Sequence, residues 1–406
     1  MLDFSIGSAA FGALLLIMPL LMNIKKEWRQ YIFVVVNIIV FVLTLKSVYA
    51  GILAVLWIVT PYLVAPLLVQ ESEHSISRFI KPLFYVCMLV GFLYLMHYDW
   101  IIIFKKLPYF AALKFLGLSY LLFREVDYTM QYEYLKEMEV RITFVDYLNY
   151  VLNFYTIMAG PIMRYEEFVT DFYEEKAPLS GEDVLEQAHR ILYGYVKVYV
   201  ISSFMSWFAT YWFGRIDQAG NFLKACIIYL LFAAFNALFI YFNFVGYCDV
   251  VAGGAALAGM KLRENFNKPY MARSMSEFWN RHHITLSEWI RDYIYSPVVK
   301  QFISGPFKKN LFAGQCAALF VTFLIAGIWH GTNLNYVVYG ILEGIGVVIA
   351  SVRKSKLQKK YGKKGYKEYE KKLPVAIFEH VWTMLYVALS FSFVGYDVIG
   401  FLAGKV

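Results

Sequence analysis

The stretch SEFWNRHHITLSEWIRDYIYSP (Ser276–Pro297), with the apolar run after it that closes on IWHG (Ile328–Gly331), decides how this chain is read. Three of the seven histidines fall here: His282 and His283 in an aromatic, charged segment, and His330 at the end of a membrane-length apolar run. A titratable side chain at such a place is costly, so it points to function before packing. On a helical pitch Phe278, Arg281 and Thr285 share one face, and Trp279 and His282 another with Leu286 or Trp289. Polar and apolar faces are not cleanly separated, and no run in this segment is long enough to span. The expectation is an interfacial or partly buried helix pair. Arg291, Asp292 and Tyr293 read as a local salt bridge with headgroup contacts.

Composition sets the frame around this stretch. The chain has 406 residues, 60% of them hydrophobic, and a mean hydropathy of +0.52. Soluble domains stay near half apolar, and several runs here approach the roughly 20 residues that cross a bilayer. The reading is an all-α polytopic membrane protein, with one integral-membrane domain over residues 1–406 and about ten or eleven membrane elements. Phe4–Ile24 has no basic segment before it and no small-residue cleavage site after it, so it reads as a retained span. Lys25, Lys26 and Arg29 follow it and place the N-terminus outside.

The net charge of +8 invites a nucleic-acid reading, but its distribution excludes one. Arg353–Lys372 holds ten Lys/Arg and two Glu, a balance of +8 that accounts for the whole excess. It reads as a basic cytoplasmic loop between spans, lying against anionic lipid, with docking of an acidic partner as the other use. Cys87, Cys226, Cys248 and Cys316 lie far apart in apolar surroundings, without CxxC, and read as small apolar fillers.

Clear spans are expected at Tyr31–Leu45, Val48–Val69, Pro82–His97, Ile191–Phe213, Phe222–Phe244, Leu311–Trp329, Leu334–Ser351 and Pro374–Phe393. His74 reads as solvated, and His97 beside Tyr98 and Trp100 as interfacial. Asp99–Phe123 reads as an interfacial piece and then a span that ends in GLSYLLFREVDY (117–128). Arg124, Glu125 and Asp127 come directly after that run and should face protein or a water-filled cavity. Gln131–Arg141 reads as a separate surface helix. In Tyr147–Met163, Gly160–Pro161 breaks a helix, so a re-entrant element competes with an ordinary span. Asp249 sits in a small-residue run and is either functional or paired.

His330 is the sharpest candidate for chemistry. Sealed from bulk water, an imidazole stays neutral and can take a proton from a hydroxyl as general base. Gly331 would leave room for a substrate. A structural histidine at a helix end is the competing reading. A metal is not expected: His282 and His283 are consecutive and would point about 100° apart on a helix, and no HExxH spacing occurs. No GxSxG, P-loop or dinucleotide fingerprint is present.

Six motifs in order, GLSYLLFR (117–124), AGPIMRYEEF (159–168), YFNFVGYCD (241–249), ENFNKPY (264–270), EFWNRHHITLSEWIRDYIY (277–295) and WHG (329–331), resemble the membrane-bound O-acyltransferases. More narrowly they are similar to the bacterial cell-envelope branch, which includes the D-alanyl transferase of teichoic acids and the alginate O-acetyltransferase. The match covers most of the chain from about Gly117 to Gly346. FLGLSYLLFRE, FWNR and the length resemble the D-alanyl type, whereas AGPIMRY resembles the alginate type. The resemblance implies membrane helices and re-entrant segments around a central tunnel open to both sides, with the histidines at its narrowest point. By position His330 matches the catalytic histidine and His283 the second one. His282 stands where tryptophan is usual, and Asn243 where an acid is common. Asn280 and Arg281 are implied as donor-orienting or oxyanion-stabilising neighbours, and His282, Trp329, Asp249 and Arg164 as further substrate-binding or tunnel positions.

The implied reaction moves a D-alanyl or acetyl group to a hydroxyl of an extracytoplasmic envelope polymer. The donor would be a cytoplasmic thioester, on the phosphopantetheine of an acyl-carrier protein or on CoA, with no bound cofactor. Implied partners are membrane lipids, the acyl-carrier protein or other donor, and an extracytoplasmic or small membrane protein, but no nucleic acid. Two other classes compete: a transporter or channel for an envelope precursor, without covalent chemistry, and a scaffold that presents the basic stretch. A weak point for the transporter is that no repeat of the two halves is evident.

Overall fold

Helix starts follow local chemistry. A short polar side chain just before a helix accepts from a backbone N–H that the helix leaves without a partner. Ser8, Thr143, Ser274, Asn310 and Asp397 do this for Phe11, Asp146, Glu277, Ala313 and Gly400. The computed structural model describes residues 7–45, 47–69, 77–96 and 117–404. The readings of His74, of His97 with Tyr98 and Trp100, and of the interfacial piece before Gly117 lie outside those residues.

In chain order the helices are α1 (Ala9–Met22), α2 (Arg29–Thr44), α3 (Val48–Val69), α4 (Ser77–Met96), α5 (Leu118–Glu137), α6 (Phe144–Val151), α7 (Tyr165–Tyr173), α8 (Gly181–Val196) and α9 (Ser202–Phe213). They continue with α10 (Phe222–Leu257), α11 (Met275–Trp279), α12 (Ile284–Ile290), α13 (Ser296–Ser304), α14 (Leu311–His330), α15 (Leu334–Lys371), α16 (Leu373–Phe391) and α17 (Val398–Leu402). Among the described residues the only β pairing is a lone antiparallel bridge between Phe266 and His282. Among the described residues six helices are long and apolar enough to cross a membrane: Lys26–Thr44, Val48–Val69, Phe222–Leu257, Leu311–His330, Leu334–Lys371 and Leu373–Phe391. Two shorter apolar helices accompany them, Ala9–Met22 and Ile80–Met96. The protein is a multi-pass, all-α membrane protein.

Three elements bear on the expectations, the second by narrowing a choice that was left open. The span ending near Tyr128 and the surface helix after it are one helix, α5, whose second half is mostly exposed. The helix in 147–163 ends at Val151, well before Gly160–Pro161, so this stretch is no ordinary span. Its end is held from elsewhere in the chain. Arg124 donates to the carbonyls of Tyr150 (3.1 Å) and Val151 (2.6 Å), and the Phe154 N–H donates to Asn37 Oδ1 (2.9 Å). Third, the basic stretch is not irregular. It continues α15 as helix as far as Lys371, interrupted only at Gly362, where φ is 69°.

The described residues pack as two compact units. One comprises residues 7–195 and Gly246–Arg263, and the other Val196–Val245 and Glu264–Gly404. In the first, α5 turns one polar face onto the stretch after α6. Asp127 accepts from Tyr150 Oη (3.0 Å), the Tyr165 N–H (2.8 Å) and Arg164 Nη1 (3.0 Å). Arg124 and Asp127 therefore face protein, as anticipated. The second unit is built around a buried cluster of Met275, Phe278, Trp279, Tyr339, Val347, Val387 and Phe391. These residues come from α11, α15 and α16.

Candidate active site

The three histidines of the opening stretch belong to this second unit. The anticipated helix pair is present, but it breaks at the histidines. α11 stops at Trp279, and α12 starts at Ile284. The single pitch over 278–289 is therefore lost, and the reason lies upstream in the ENFNKPY motif. The Asn267 N–H donates to the Arg281 carbonyl (2.8 Å), and the Ile284 N–H donates to the Asn265 carbonyl (2.9 Å). Buried Asn265 also accepts through its side chain from Thr285 Oγ1 at 2.6 Å. This clamp leaves His283 in the left-handed region, at φ 48° and ψ 52°. A side chain there costs roughly 1–2 kcal/mol.

His282 lies 4.9 Å from the ring of Phe278 in a stacked pair and meets Trp279, Phe266 and Phe391 edge-on. His283 meets Phe244, from the YFNF run, edge-on at 4.7 Å. Both imidazoles are buried. Neither ring nitrogen of His282 and not Nε2 of His283 has a hydrogen-bond partner among the described residues. Such orphaned polar atoms are costly in a folded core and mark a place where a ligand or water completes the set. Both residues lie outside the membrane-spanning helices. Burial, reinforced by charge on neighbouring imidazoles, pushes His282 down to about 3 and His283 well below the ordinary histidine range. Phe391 meets His282 at 5.6 Å and Tyr339 at 5.5 Å, and Tyr339 in turn meets His330 at 5.6 Å, so ring contacts join the pair to His330.

His330 is the partly exposed member, the last residue of α14. Its ring lies 4.5 Å from Trp329 and 5.6 Å, edge-on, from Tyr339 of α15. A small-residue crossing sets that contact. A Cβ on Gly327 would stand 2.3 Å from Gly340 Cα, so the two helix backbones touch one turn from His330. The room expected at Gly331 is taken. A Cβ there would meet Tyr336 Cε2 at 2.1 Å, so this glycine admits an aromatic ring of the same protein, not a substrate.

The other candidates are placed as follows. Asn280 is exposed. Arg281 is ion-paired with Glu277 at 2.8 Å. Trp329 is partly buried beside His330. Asp249 and Arg164 belong to the first unit. There Asp249 pairs with Arg190 (3.1 Å) and Arg164 with Asp127 (3.0 Å). The paired reading of Asp249 therefore holds.

Sequence reading passed over Glu343. Its carboxylate is buried and accepts from the Trp279 indole N–H (2.8 Å) and from Ser390 Oγ (2.6 Å). An acid inside the apolar run of α15 was the visible sign.

The strain at His283 is measurable. His283→Ala keeps the left-handed backbone cost and loses the ring packing, whereas His283→Gly loses only the packing. The glycine variant should therefore unfold at higher temperature in detergent than the alanine variant, by the equivalent of about 1 kcal/mol. Equal melting of the two would show that the backbone at 283 is not strained.

Residues 114–393 match the model of the MBOAT, membrane-bound O-acyltransferase family. The chain is 32% identical over 243 residues to a teichoic acid D-alanyltransferase of Bacillus subtilis, covering 59% of each chain. It is 31% identical over 303 residues to a teichoic acid D-alanyltransferase of Streptococcus thermophilus, covering 70% of this chain and 69% of that one. It is 28% identical over 235 residues to a probable alginate O-acetylase of Pseudomonas putida, covering 58% of this chain and 45% of the other. The chain thus spans less than two thirds of the Bacillus and Pseudomonas relatives. The resemblance carried by the six motifs is borne out: this chain belongs to the membrane-bound O-acyltransferase family, a family of enzymes.

Proposed function

We propose that this chain moves an acyl group, D-alanyl or acetyl, from a thioester donor to a hydroxyl of a cell-envelope polymer. The observation that carries the reading is the set of ring contacts that join the buried histidine pair to His330 through Phe391 and Tyr339, with His330 partly exposed at the end of a membrane-length helix. His330 takes the proton of the acceptor hydroxyl as its oxygen attacks the thioester carbonyl. The C–S bond breaks as the intermediate collapses, and the proton passes to the departing sulfur. His283, whose Nε2 has no partner among the described residues, supplies a donor to the oxyanion. The donor enters from the cytoplasmic side, near the basic end of α15, and the acceptor from the other. Relatives of both acyl types support the acyl-transfer class without choosing between acetyl and D-alanyl.

The test is acyl transfer by the full chain in vesicles. Labelled acetyl and D-alanyl thioesters, on CoA or on an acyl-carrier protein, are offered on one side and a hydroxyl-bearing envelope polymer on the other. A base-labile ester on the polymer is expected, and the species released by mild base names the acyl group. Passage of donor or acceptor without ester formation would overturn the proposal in favour of a transporter.

A further inference from the structure

Glu343 of α15 is a buried carboxylate, 1% exposed, that is hydrogen-bonded to Trp279 of the apolar cluster beside the histidines. An apolar residue there would leave the indole N–H of Trp279 without an acceptor, so the carboxylate contributes to folding as well as to geometry. Its two hydrogen bonds lead to the histidines. Oε2 holds the indole N–H of Trp279, whose ring lies 5.6 Å from His282. Oε1 holds Ser390, the residue before Phe391, and the Phe391 ring meets His282 at 5.6 Å and Tyr339 at 5.5 Å. Tyr339, one turn before Glu343 on α15, meets His330 at 5.6 Å. One carboxylate thus ties α11, α15 and α16 together where each presents a ring to His282 or His330.

The geometry points to Glu343 as a positioning residue: through Trp279 and Ser390 it sets the spacing between His330 and the His282–His283 pair. It touches no reacting atom. This rests on the acyl-transfer reading above. A displacement of reacting groups by about 1 Å can cost about 10²-fold in rate. Uniform substrate binding would change little.

The experiment measures acyl transfer by the full chain in vesicles, with kcat and donor KM resolved and folded protein quantified by melting in detergent. Glu343→Leu should still fold but melt lower than the parent, because the Trp279 N–H loses its acceptor. Per folded protein it should lose about 10²-fold in kcat with donor KM within about threefold. Glu343→Gln still offers a carbonyl to Trp279 and an amide to Ser390, and should restore kcat to within about threefold of the parent. Trp279→Phe keeps the ring but not the N–H and should lose about tenfold in kcat. The double variant Trp279→Phe, Glu343→Leu should be no slower than Glu343→Leu alone, because the two act through one bond. Several results would overturn the role: unchanged kcat in Glu343→Leu, multiplying losses in the double variant, or a Glu343→Leu that fails to fold while Trp279→Phe keeps full kcat. His330→Ala is run alongside. If that variant stays active, the acyl-transfer chemistry at His330 is wrong, whatever Glu343 does.

Discussion

His330→Ala is expected to lower acyl transfer by about 10²–10⁴-fold, the contribution of one positioned general base. That corresponds to about 3–5 kcal/mol of barrier. The loss should fall on kcat, with donor KM little changed, because the proton is shared only as the new C–O bond forms. Folding should survive. The ring is partly exposed, and its contacts with Trp329 and Tyr339 are edge and tilted contacts at the end of α14. Membrane yield and melting in detergent close to the parent would confirm that. The α14–α15 crossing stays intact, because it rests on Gly327 and Gly340 and not on the imidazole. Transfer within about threefold of the parent would remove His330 from the chemistry. His283 would then be the next base to test. Its ring is buried, and its backbone geometry is held by the Asn265 clamp.

What could be read beforehand followed from local periodicity and motif order. Six of the expected spans fall in helices long and apolar enough to cross a membrane, with His330 at the end of one of them. Phe4–Ile24 and Pro82–His97 correspond to shorter apolar helices, and Ile191–Phe213 is divided between α8 and α9. The histidine pair lies in a short helix pair, as its mixed faces implied. What could not be read was where helices stop for non-local reasons. Nothing between Trp279 and Ile284 announces a break. It is imposed by the backbone and side chain of Asn265 and by Asn267, more than a dozen residues upstream. The same holds in 147–163, where Gly160–Pro161 drew attention but the helix had already ended under Arg124 and Asn37. Glu343 had a visible sign, an acid in an apolar run, but its partners are 64 and 47 residues away in the chain. The room assigned to Gly331 failed for a related reason. A glycine says that something approaches closely, not what, and here it is Tyr336.

Arg124→Met is expected to be the most destabilising single change in the first unit. Arg124 is 2% exposed. Its Nη1 donates to the carbonyls of Tyr150 and Val151, and its Nη2 to Thr156 Oγ1. Those carbonyls are at the C-terminal end of α6, where a helix leaves its last acceptors without partners and favours a cation. Methionine fills much of the volume but offers no donor, so buried acceptors are orphaned at about 1–3 kcal/mol each. A total near 3–5 kcal/mol is a large part of the 5–15 kcal/mol typical of a domain. Arg124→Lys should recover only part of it, because one ammonium cannot reproduce the planar fork that serves three acceptors. Three residues along the same helix, Asp127 takes Arg164 and the Tyr165 N–H at the far end of the broken stretch. Arg124 and Asp127 therefore clamp residues 152–165 at both ends with opposite charges from one face of α5. Two measurements decide this: melting in detergent, expected to fall steeply for Met and less for Lys, and proteolysis within 152–165, expected to rise in both. An Arg124→Met protein that melts with the parent and resists cleavage there would mean that the aromatic packing of Tyr147, Tyr150 and Tyr165 holds the stretch without the clamp.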